Sequence, residues 1–177
     1  NQEKKFSALN VINDYSEEDL ADVLYNYGEL VNSRRIASEI VKFRSSKPIL
    51  TTNDLINSIS HLSSFQKQNK FLARVFQAVR IEVNDEISAL KEMLQNAIHI
   101  LKSKGRIVII SYHSLEDRIV KNLFKKGNVD GILEKDFYGN VKKDFQEINK
   151  NIIRPNADEI KLNPRSRSAK LRIAEKI

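Results

Sequence analysis

The segment Ser111–Arg118 is the part of the chain where chemically active side chains lie closest together. It holds two serine hydroxyls, a tyrosine, an imidazole, two carboxylates and a guanidinium. These groups can donate and accept hydrogen bonds and can transfer protons. A structural interpretation is also available, in which Ser114, Glu116 and Asp117 cap and charge the start of a helix and His113 is an ordinary loop residue. The residue types alone leave both interpretations open.

A second segment, Asn163–Arg172, is rich in positive charge. Its basic residues are Arg165, Arg167, Lys170 and Arg172. Serines lie between them and an Asn-Pro dipeptide precedes them, which predicts a phosphate-contacting loop that leads into a strand. The alternative is a charged turn in solvent, because most runs of charge are only that.

A third segment places polar residues on one face of a predicted helix. Arg74, Gln77 and Arg80 follow one another at intervals of three residues. At this spacing they share a face, opposite Phe76 and Val79. That face is expected to contact RNA phosphates or another domain, or else to be the solvated side of the helix.

Composition narrows the classes of protein that need to be considered. The formal net charge of +7 and the isoelectric point near 9.5 favour a polyanionic partner, although many basic proteins bind no nucleic acid.

The chain has no cysteine, which excludes disulfides and thiolate metal sites, and its three histidines are scattered. No apolar run is long enough to span a bilayer and the first residues do not resemble a signal peptide, so a cytoplasmic protein without membrane contact is expected. The missing initiator Met suggests a fragment or a trimmed chain.

The first hundred residues show helical periodicity with recognisable caps. Ser16 and Thr51 precede apolar positions at helical spacing, and Asn32 is placed to cap the helix between them. Two longer helices are predicted to meet at Asn84–Glu86. The second of these ends at a run of basic residues followed by Gly105.

After Gly105 the apolar residues no longer recur at helical spacing. The β-branched run Ile107–Ile110 predicts a central strand that is buried on both faces, and Ser114–Asp117 predicts a capping box that opens the next helix. Helix, glycine turn, strand and helix make one α/β unit of a parallel sheet, whose ligands bind where strands end. Residues 125–168 are polar, with short strand-like pieces near Ile148–Ile153. The alternating segment Ser168–Glu175 predicts a strand close to a sheet edge with one face buried.

Taken together, the motifs resemble the ribosomal RNA small-subunit methyltransferase H family, also called MraW. The resemblance covers nearly the whole chain, and the string His-Ser-Leu-Glu-Asp-Arg at residues 113–118 is its most specific part. The other matching motifs are Tyr27-Gly28-Glu29, Arg35-Ile36-Ala37, Phe76 to Glu86, Gly105-Arg106, Ser111 to Lys121, and Asn163 to Arg172. The departures from the family pattern are local: Leu30 where a second acidic residue is common, Tyr112 in place of Phe, and Ala73 in place of Thr.

The resemblance implies an incomplete class I (Rossmann-like) methyltransferase sheet together with an all-helical inserted domain. Residues 1–101 would be the mainly helical part that includes the insertion, and residues 102–177 the last part of the α/β domain. The family's glycine-rich cofactor loop and its Asp-Leu-Gly-Val-Ser-Ser motif do not occur in this sequence. The binding site for S-adenosylmethionine is therefore expected mostly outside the chain, which alone should bind the cofactor weakly or not at all.

The activity that the resemblance implies is transfer of a methyl group from S-adenosylmethionine to N4 of a cytosine in 16S ribosomal RNA of the small subunit. We expect Ser111, His113 and Ser114 to line the pocket for the target base. Glu116 and Asp117, together with Arg118, are expected to orient the loop or hold RNA. The remaining residues expected to bind RNA are Arg165, Arg167, Lys170, Arg74 and Arg80.

Two alternatives to a working enzyme remain open at this point. The chain could be a non-catalytic module that binds RNA or the ribosome, or a fragment with little activity of its own. An exposed sheet edge would also favour association of copies, so a homodimer is one expected outcome.

Overall fold

The computed structural model describes residues 6–149 and 151–177 and separates the chain into two compact units, Asn1–Glu86 and Ile87–Ile177. The boundary between these compact units precedes the predicted domain boundary at residues 101 and 102, because the helix that ends at Ile100 belongs almost entirely to the second unit. How far the inserted domain extends in the family's fold stays a prediction. None of the described helices is long and apolar enough to cross a membrane.

The first unit is helical. Its helices are α1 (Ala8–Asp14), α2 (Glu17–Asn26), α3 (Ser33–Ser46), α4 (Thr52–Ile59) and α5 (Gln68–Asn84). Two predicted caps are confirmed, since the side chain of Ser16 accepts a hydrogen bond from the amide of Asp19 and Thr51 forms a capping box with Asp54. Asn32 occupies the predicted N-cap position, although its side chain makes no capping bond. The core of this unit consists of aliphatic side chains, among them Val11, Leu20, Leu24, Ile36, Ile40 and Val75.

Helix α5 ends at Asn84 and is capped by Asp85, whose backbone is left-handed (φ 53°). Helix α6 (Glu86–Ile100) begins at the next residue. The two consecutive helices predicted on either side of this point are confirmed.

The second unit combines helices with a small sheet. After α6 come β1 (Arg106–Ser111), α7 (Ser114–Lys126), β2 (Phe145–Glu147), α8 (Ala157–Leu162) and β3 (Lys170–Lys176). The strands lie in the order β1-β3-β2 and both pairings are antiparallel. The core lies between the sheet and the helices and contains Leu94, Ile119, Val120, Leu123, Phe124, Phe145 and Ala174.

Four expectations about the strands are wrong for this sheet. Among the described residues β1 pairs only with β3, so it lies at an edge, and its pairing is antiparallel rather than parallel. Its run of apolar residues is not buried on both faces, because Val108 and Ile110 are 57% and 52% exposed while Ile107 and Ile109 pack on the core. The segment expected near an edge is β3, which lies in the middle. The β-branched run indicates a strong preference for strand structure, whereas the position of a strand within the sheet depends on which other strands pair with it.

A hydrogen bond of Tyr15 ties the loop after α1 to α5 in the first unit. The phenol donates to Glu82 Oε1 at 2.5 Å. The guanidinium of Arg44 donates to the carbonyl oxygens of Ile12 and Tyr15 and so holds the same loop. The bond to Glu82 is the main reason why the pKa of Tyr15 rises to about 12, with burial and the charge of Glu82 adding to it.

Replacing Tyr15 by Phe should lower the free energy of unfolding by about 1–2 kcal/mol near pH 7, because Glu82 loses its donor. The folded-state pKa lies above the unfolded value of about 10. The contribution of Tyr15 is therefore complete below pH 10 and should be lost as the pH rises toward the folded-state pKa of about 12. Urea unfolding followed by circular dichroism at both ends of this range measures the difference.

The matched control is Tyr25→Phe, since the Tyr25 ring is 57% exposed on α2. This control should leave stability unchanged at every pH. A Tyr15→Phe protein that is as stable as the wild type at pH 7 would contradict a stabilising bond to Glu82.

Candidate functional site

The strand register brings two of the predicted segments together at one end of the sheet. Ser111, the last residue of β1, pairs with Lys170, the first residue of β3. The Ser111 hydroxyl also donates to the carbonyl oxygen of Lys170 at 3.4 Å. Lys170 follows the short 3-10 helix Pro164–Ser168 almost directly. The loop after β1 and the basic turn before β3 therefore lie side by side, although they are far apart in sequence.

His113, and not Ser114, caps helix α7. Its Nδ1 accepts a hydrogen bond from the amide of Glu116 at 3.4 Å. In return the Glu116 carboxylate accepts from the amides of Tyr112 at 2.8 Å and His113 at 3.4 Å. The capping box predicted from Ser114 to Asp117 is thus displaced by one residue, because α7 already begins at Ser114.

This cap fixes the imidazole of His113 beside a carboxylate. The side chain is only 10% exposed, and its Nε2 lies 3.4 Å from Glu116 Oε1. A neutral imidazole whose Nδ1 accepts carries its proton on Nε2, the atom that faces Glu116. The structural and the functional interpretations of His113 are therefore compatible, since capping uses one ring nitrogen and leaves the ring held in a defined position.

A buried ion pair lies directly behind the cap. Arg172 on β3 donates to both carboxylate oxygens of Asp117 on α7, with Nε–Oδ1 2.7 Å and Nη2–Oδ2 3.3 Å. The two residues are 6% and 9% exposed. Lys170 Nζ lies 3.7 Å from Asp117 Oδ2, and Arg172 Nη1 lies 3.8 Å from Glu147 Oε1 on β2. These charges join the helix to two strands of the sheet.

The ionisation of Asp117 reflects this setting. Burial by itself would raise the pKa of the carboxyl. The hydrogen bonds and charge of Arg172, with the charges of Lys170 and Lys121, outweigh burial and hold the pKa below its usual range. Since both oxygens of Asp117 already contact cations, the geometry favours a positioning role for this residue over a role in proton transfer.

The other predicted residues at this end of the sheet differ in accessibility. Ser111 is 3% exposed and Ser114 is half-buried, whereas Arg118 on α7 is exposed. Arg165 and Arg167 are exposed on the turn, and within residues 6–149 and 151–177 neither guanidinium forms an ion pair. The turn itself is held by Asn163, whose Oδ1 accepts from the amide of Arg165 at 3.3 Å. Two solvated cations thus lie at the same end of the sheet as His113.

The third predicted segment belongs to the first unit. Arg80 is bound to Glu86, with Nε–Oε1 2.8 Å and Nη2–Oε2 3.0 Å. Gln77 Nε2 donates to the carbonyl oxygen of Tyr27 at 2.9 Å, so it serves packing between α5 and the end of α2. Arg74 is exposed and lines a cleft. Of the two arginines expected to bind RNA on this helix, only Arg74 has an uncommitted charge.

Sequence reasoning missed the most important contact of the site. In the sequence Arg172 is one of several basic residues of the segment Asn163–Arg172, and nothing in the sequence marks Glu147. The alternation along β3 would have placed Leu171 and Ile173 inside, whereas Arg172 and Ala174 are the buried residues. The only available signal was the presence of a carboxylate, Asp117, in the first turn of a helix that had to pack on this strand.

Replacing Asp117 by Asn should lower the free energy of unfolding by about 3 kcal/mol near pH 7, because Arg172 would stay buried without its carboxylate. The folded-state pKa of Asp117 is lowered, so its contribution is complete above the unfolded value of about 4. The contribution should be lost as the pH falls below that value, and the two proteins should then converge in stability. Urea titrations of both proteins at neutral and acid pH measure the difference in their free energies of unfolding.

Asp130→Asn is the matched control. Asp130 lies 2.7 Å from Lys91 in an ion pair whose side chains are 57% and 38% exposed. Its loss should cost less than about 1 kcal/mol. Equal effects of the two substitutions would show that burial does not strengthen the Asp117 pair.

The chain matches the model of the MraW methylase family over residues 1–177. It is also similar to curated proteins named ribosomal RNA small subunit methyltransferase H. The protein from Parabacteroides distasonis is 53% identical over 97% of this chain and 56% of its own length. The one from Bacteroides fragilis is 53% identical over 99% of this chain and 58% of its own length. The one from Flavobacterium johnsoniae is 48% identical, with the same coverage of 99% and 58%.

The chain therefore spans a little over half the length of these relatives, 56% to 58%. The matched part includes both segments that meet at the end of β1 and the helical unit. Because the family model matches the chain over residues 1–177, this protein belongs to the MraW methylase family.

Proposed function

We propose that the protein containing this chain transfers a methyl group from S-adenosylmethionine to N4 of a cytosine in 16S ribosomal RNA. The observation that carries the proposal is the meeting of two segments at one end of the sheet. Ser111 pairs with Lys170. The imidazole of His113, which caps α7, and the exposed Arg165 and Arg167 therefore lie at the same end of the sheet. A polar loop beside solvated cations suits a base whose flanking phosphates must be held.

The proposed fold is an incomplete class I (Rossmann-like) sheet with an all-helical insertion, divided at residues 101 and 102. The mixture of helices with a small antiparallel sheet is consistent with such a fragment. The half-exposed Val108 and Ile110 on β1 support the idea that further structure covers this strand. A cytoplasmic location and a homodimer remain predictions.

S-adenosylmethionine is the methyl donor that the family implies, and the residues of this chain do not by themselves fit a site for it. In residues 6–149 and 151–177 no glycine-rich turn follows a strand. The buried polar side chains at the end of β1 bond to protein atoms, Ser111 to Lys170 and Asp117 to Arg172. We therefore assign no residue of the chain to the cofactor and propose that its site lies mostly outside.

The reaction makes a specific demand on the residues that hold the base. The lone pair of the cytosine N4 amine is delocalised into the ring, so the amine must be oriented and its N–H groups need acceptors. We propose that Ser111, His113 and Ser114 line this pocket, and that Glu116 and Asp117 hold the loop in shape. The RNA backbone would be bound by the cations of this end of the sheet, Arg118, Arg165, Arg167 and Lys170. In the first unit it would be bound by Arg74, and by Arg80 if that side chain exchanges Glu86 for a phosphate.

The test is transfer of labelled methyl groups by the full-length gene product to isolated small ribosomal subunits. His113→Asn is the informative variant, because Asn is a good N-cap and lacks the imidazole. We expect its kcat to fall about 10- to 100-fold, the worth of one hydrogen bond to the base, with stability retained. His113→Ala should lose both activity and part of the stability of α7.

His99→Ala serves as control, since His99 is exposed on α6. Full activity of His113→Asn would show that His113 serves only to cap α7. RNA binding by the wild type without any methyl transfer would instead favour the alternative function, a non-catalytic RNA-binding module.

Arg165→Ala and Arg167→Ala together should weaken RNA binding with little change in kcat. Each lost phosphate contact should reduce the slope of log affinity against log salt by about 0.7 for a single strand. Arg154→Ala removes another exposed arginine of the same unit and should leave the slope unchanged. A double variant with wild-type affinity and slope would exclude these two residues from the RNA interface.

A further inference from the structure

Two aromatic side chains lie almost entirely in solvent on the connection between α7 and β2 in the second unit. Phe137 is 98% exposed and Tyr138 is 86% exposed. Their ring centroids are 5.6 Å apart and the ring planes stand at 89° to each other. Ile132 and Leu133, just before them in the chain, are also exposed. Large apolar side chains concentrated in so short a segment indicate a contact surface, whereas single exposed apolar residues are ordinary.

The two rings lie at the tip of a short hairpin, residues 134–142. Its arms are joined by an isolated antiparallel bridge between Lys135 and Val141. At the turn the amide of Asp136 donates to the carbonyl oxygen of Asn140 at 2.9 Å. The rings are thus carried by a paired backbone.

The Asp136 side chain fixes the conformation of the turn. Its Oδ1 accepts hydrogen bonds from the amides of Tyr138 at 2.9 Å and Asn140 at 2.8 Å, and its Oδ2 accepts from Asn140 Nδ2 at 3.0 Å. Gly139 takes the left-handed conformation that the turn needs (φ 86°). The backbone that presents the rings is therefore ordered before any partner arrives, which reduces the entropy lost on binding.

The charge around this tip differs from that of the whole chain. The chain carries a net charge of +7, whereas residues 132–144 carry none, because their lysines are balanced by carboxylates. The lysines are Lys135, Lys142 and Lys143, and the carboxylates are Glu134, Asp136 and Asp144.

The charge next to the rings in the chain is negative. Asp136 directly precedes Phe137, and its hydrogen bonds with Asn140 are the main reason why its pKa lies below the usual range, so it is ionised at neutral pH. A carboxylate held at this position repels phosphates. Surfaces that bind single-stranded RNA combine aromatic rings with cations, and this tip lacks that excess of cations. An apolar pocket on a protein suits it better, since aromatic side chains are enriched at the centre of protein interfaces and charged ones are depleted there.

We propose that the aromatic tip, Phe137 and Tyr138, docks into an apolar pocket on a protein of the small ribosomal subunit. Phe137 is the anchor in that pocket and Tyr138 packs against its rim. The inference rests on the proposed function in one respect only, namely that the small subunit is the particle on which the enzyme acts. It adds a protein contact to the RNA contacts proposed for the end of the sheet.

The experiment uses the full-length gene product, carrying a fluorescent label, and two probes, purified small ribosomal subunits and protein-free 16S ribosomal RNA. Anisotropy titrations measure the affinity for each probe. The double variant Phe137→Ala, Tyr138→Ala should bind the subunits at least about tenfold more weakly, because aromatic anchors carry much of the binding energy of an interface. Its affinity for the protein-free RNA should equal that of the wild type.

Tyr25→Ala is the control, since it removes an exposed aromatic ring of the first unit, and it should bind both probes as the wild type does. The double variant should also keep the unfolding temperature of the wild type, because both rings lie in solvent. Unchanged affinity of the double variant for the subunits would overturn the proposal. Equal weakening on both probes would also overturn it, since the tip would then contact RNA.

Photocrosslinking identifies the occupant directly. A benzophenone side chain in place of Phe137 should crosslink to a protein of the purified subunits, and mass spectrometry of the product names the peptide. A crosslink to ribosomal RNA, to a second copy of the enzyme or to another part of the same gene product would each contradict docking on a subunit protein.

Methyl transfer measured with the same variants separates this proposal from the proposed function. In the double variant we expect a raised KM for small subunits and a kcat close to that of the wild type. A wild-type protein that crosslinks to a subunit protein through the tip but transfers no methyl group would refute the proposed function and leave the docking contact standing.

Discussion

The arrangement of the candidate site depends on one buried ion pair, that between Asp117 and Arg172. It joins the first turn of α7 to the middle strand of the sheet, and Glu147 extends it to β2. Removing two charges from water is costly, and only close hydrogen bonding offsets this cost. The bidentate geometry meets that condition. The helix start that carries His113 is thereby fixed relative to β3, and with it to the basic turn that precedes β3.

The loop after β1 is built so that the same side chains serve the backbone and face the end of the sheet. The His113 side chain accepts from the amide of Glu116, which the first turn of α7 would otherwise leave unpaired, and the Glu116 carboxylate accepts from the amides of Tyr112 and His113 just before the helix. Such use does not compete with a function in binding a base. It reduces the freedom of the imidazole, and a group that is already ordered loses little entropy when a substrate is held.

Much of the helical unit could be predicted from the sequence, because caps and helical periodicity are local signals. Ser16, Thr51 and the break at Asp85 behave as their residue types suggest. The sheet was less predictable. The order of strands is set by pairings between distant segments, so the β-branched β1 could lie at an edge and the alternating β3 in the middle. The two segments of the site were found by residue type, but their meeting required the register of Ser111 with Lys170. Arg172 was missed because a buried arginine looks like a surface residue until its partner is known.

The pairing of β1 with β3 also has a consequence for biosynthesis. Arg106 pairs with Glu175, so β1 leaves the ribosome long before its partner exists. The helical unit, whose contacts are more local, can fold during that interval, whereas the pairing of β1 with β3 must wait until β3 is made. Contacts of this sequence separation slow folding. The three-stranded sheet can therefore form only after β3 has been synthesised, whereas the helical unit needs no residue beyond Glu86.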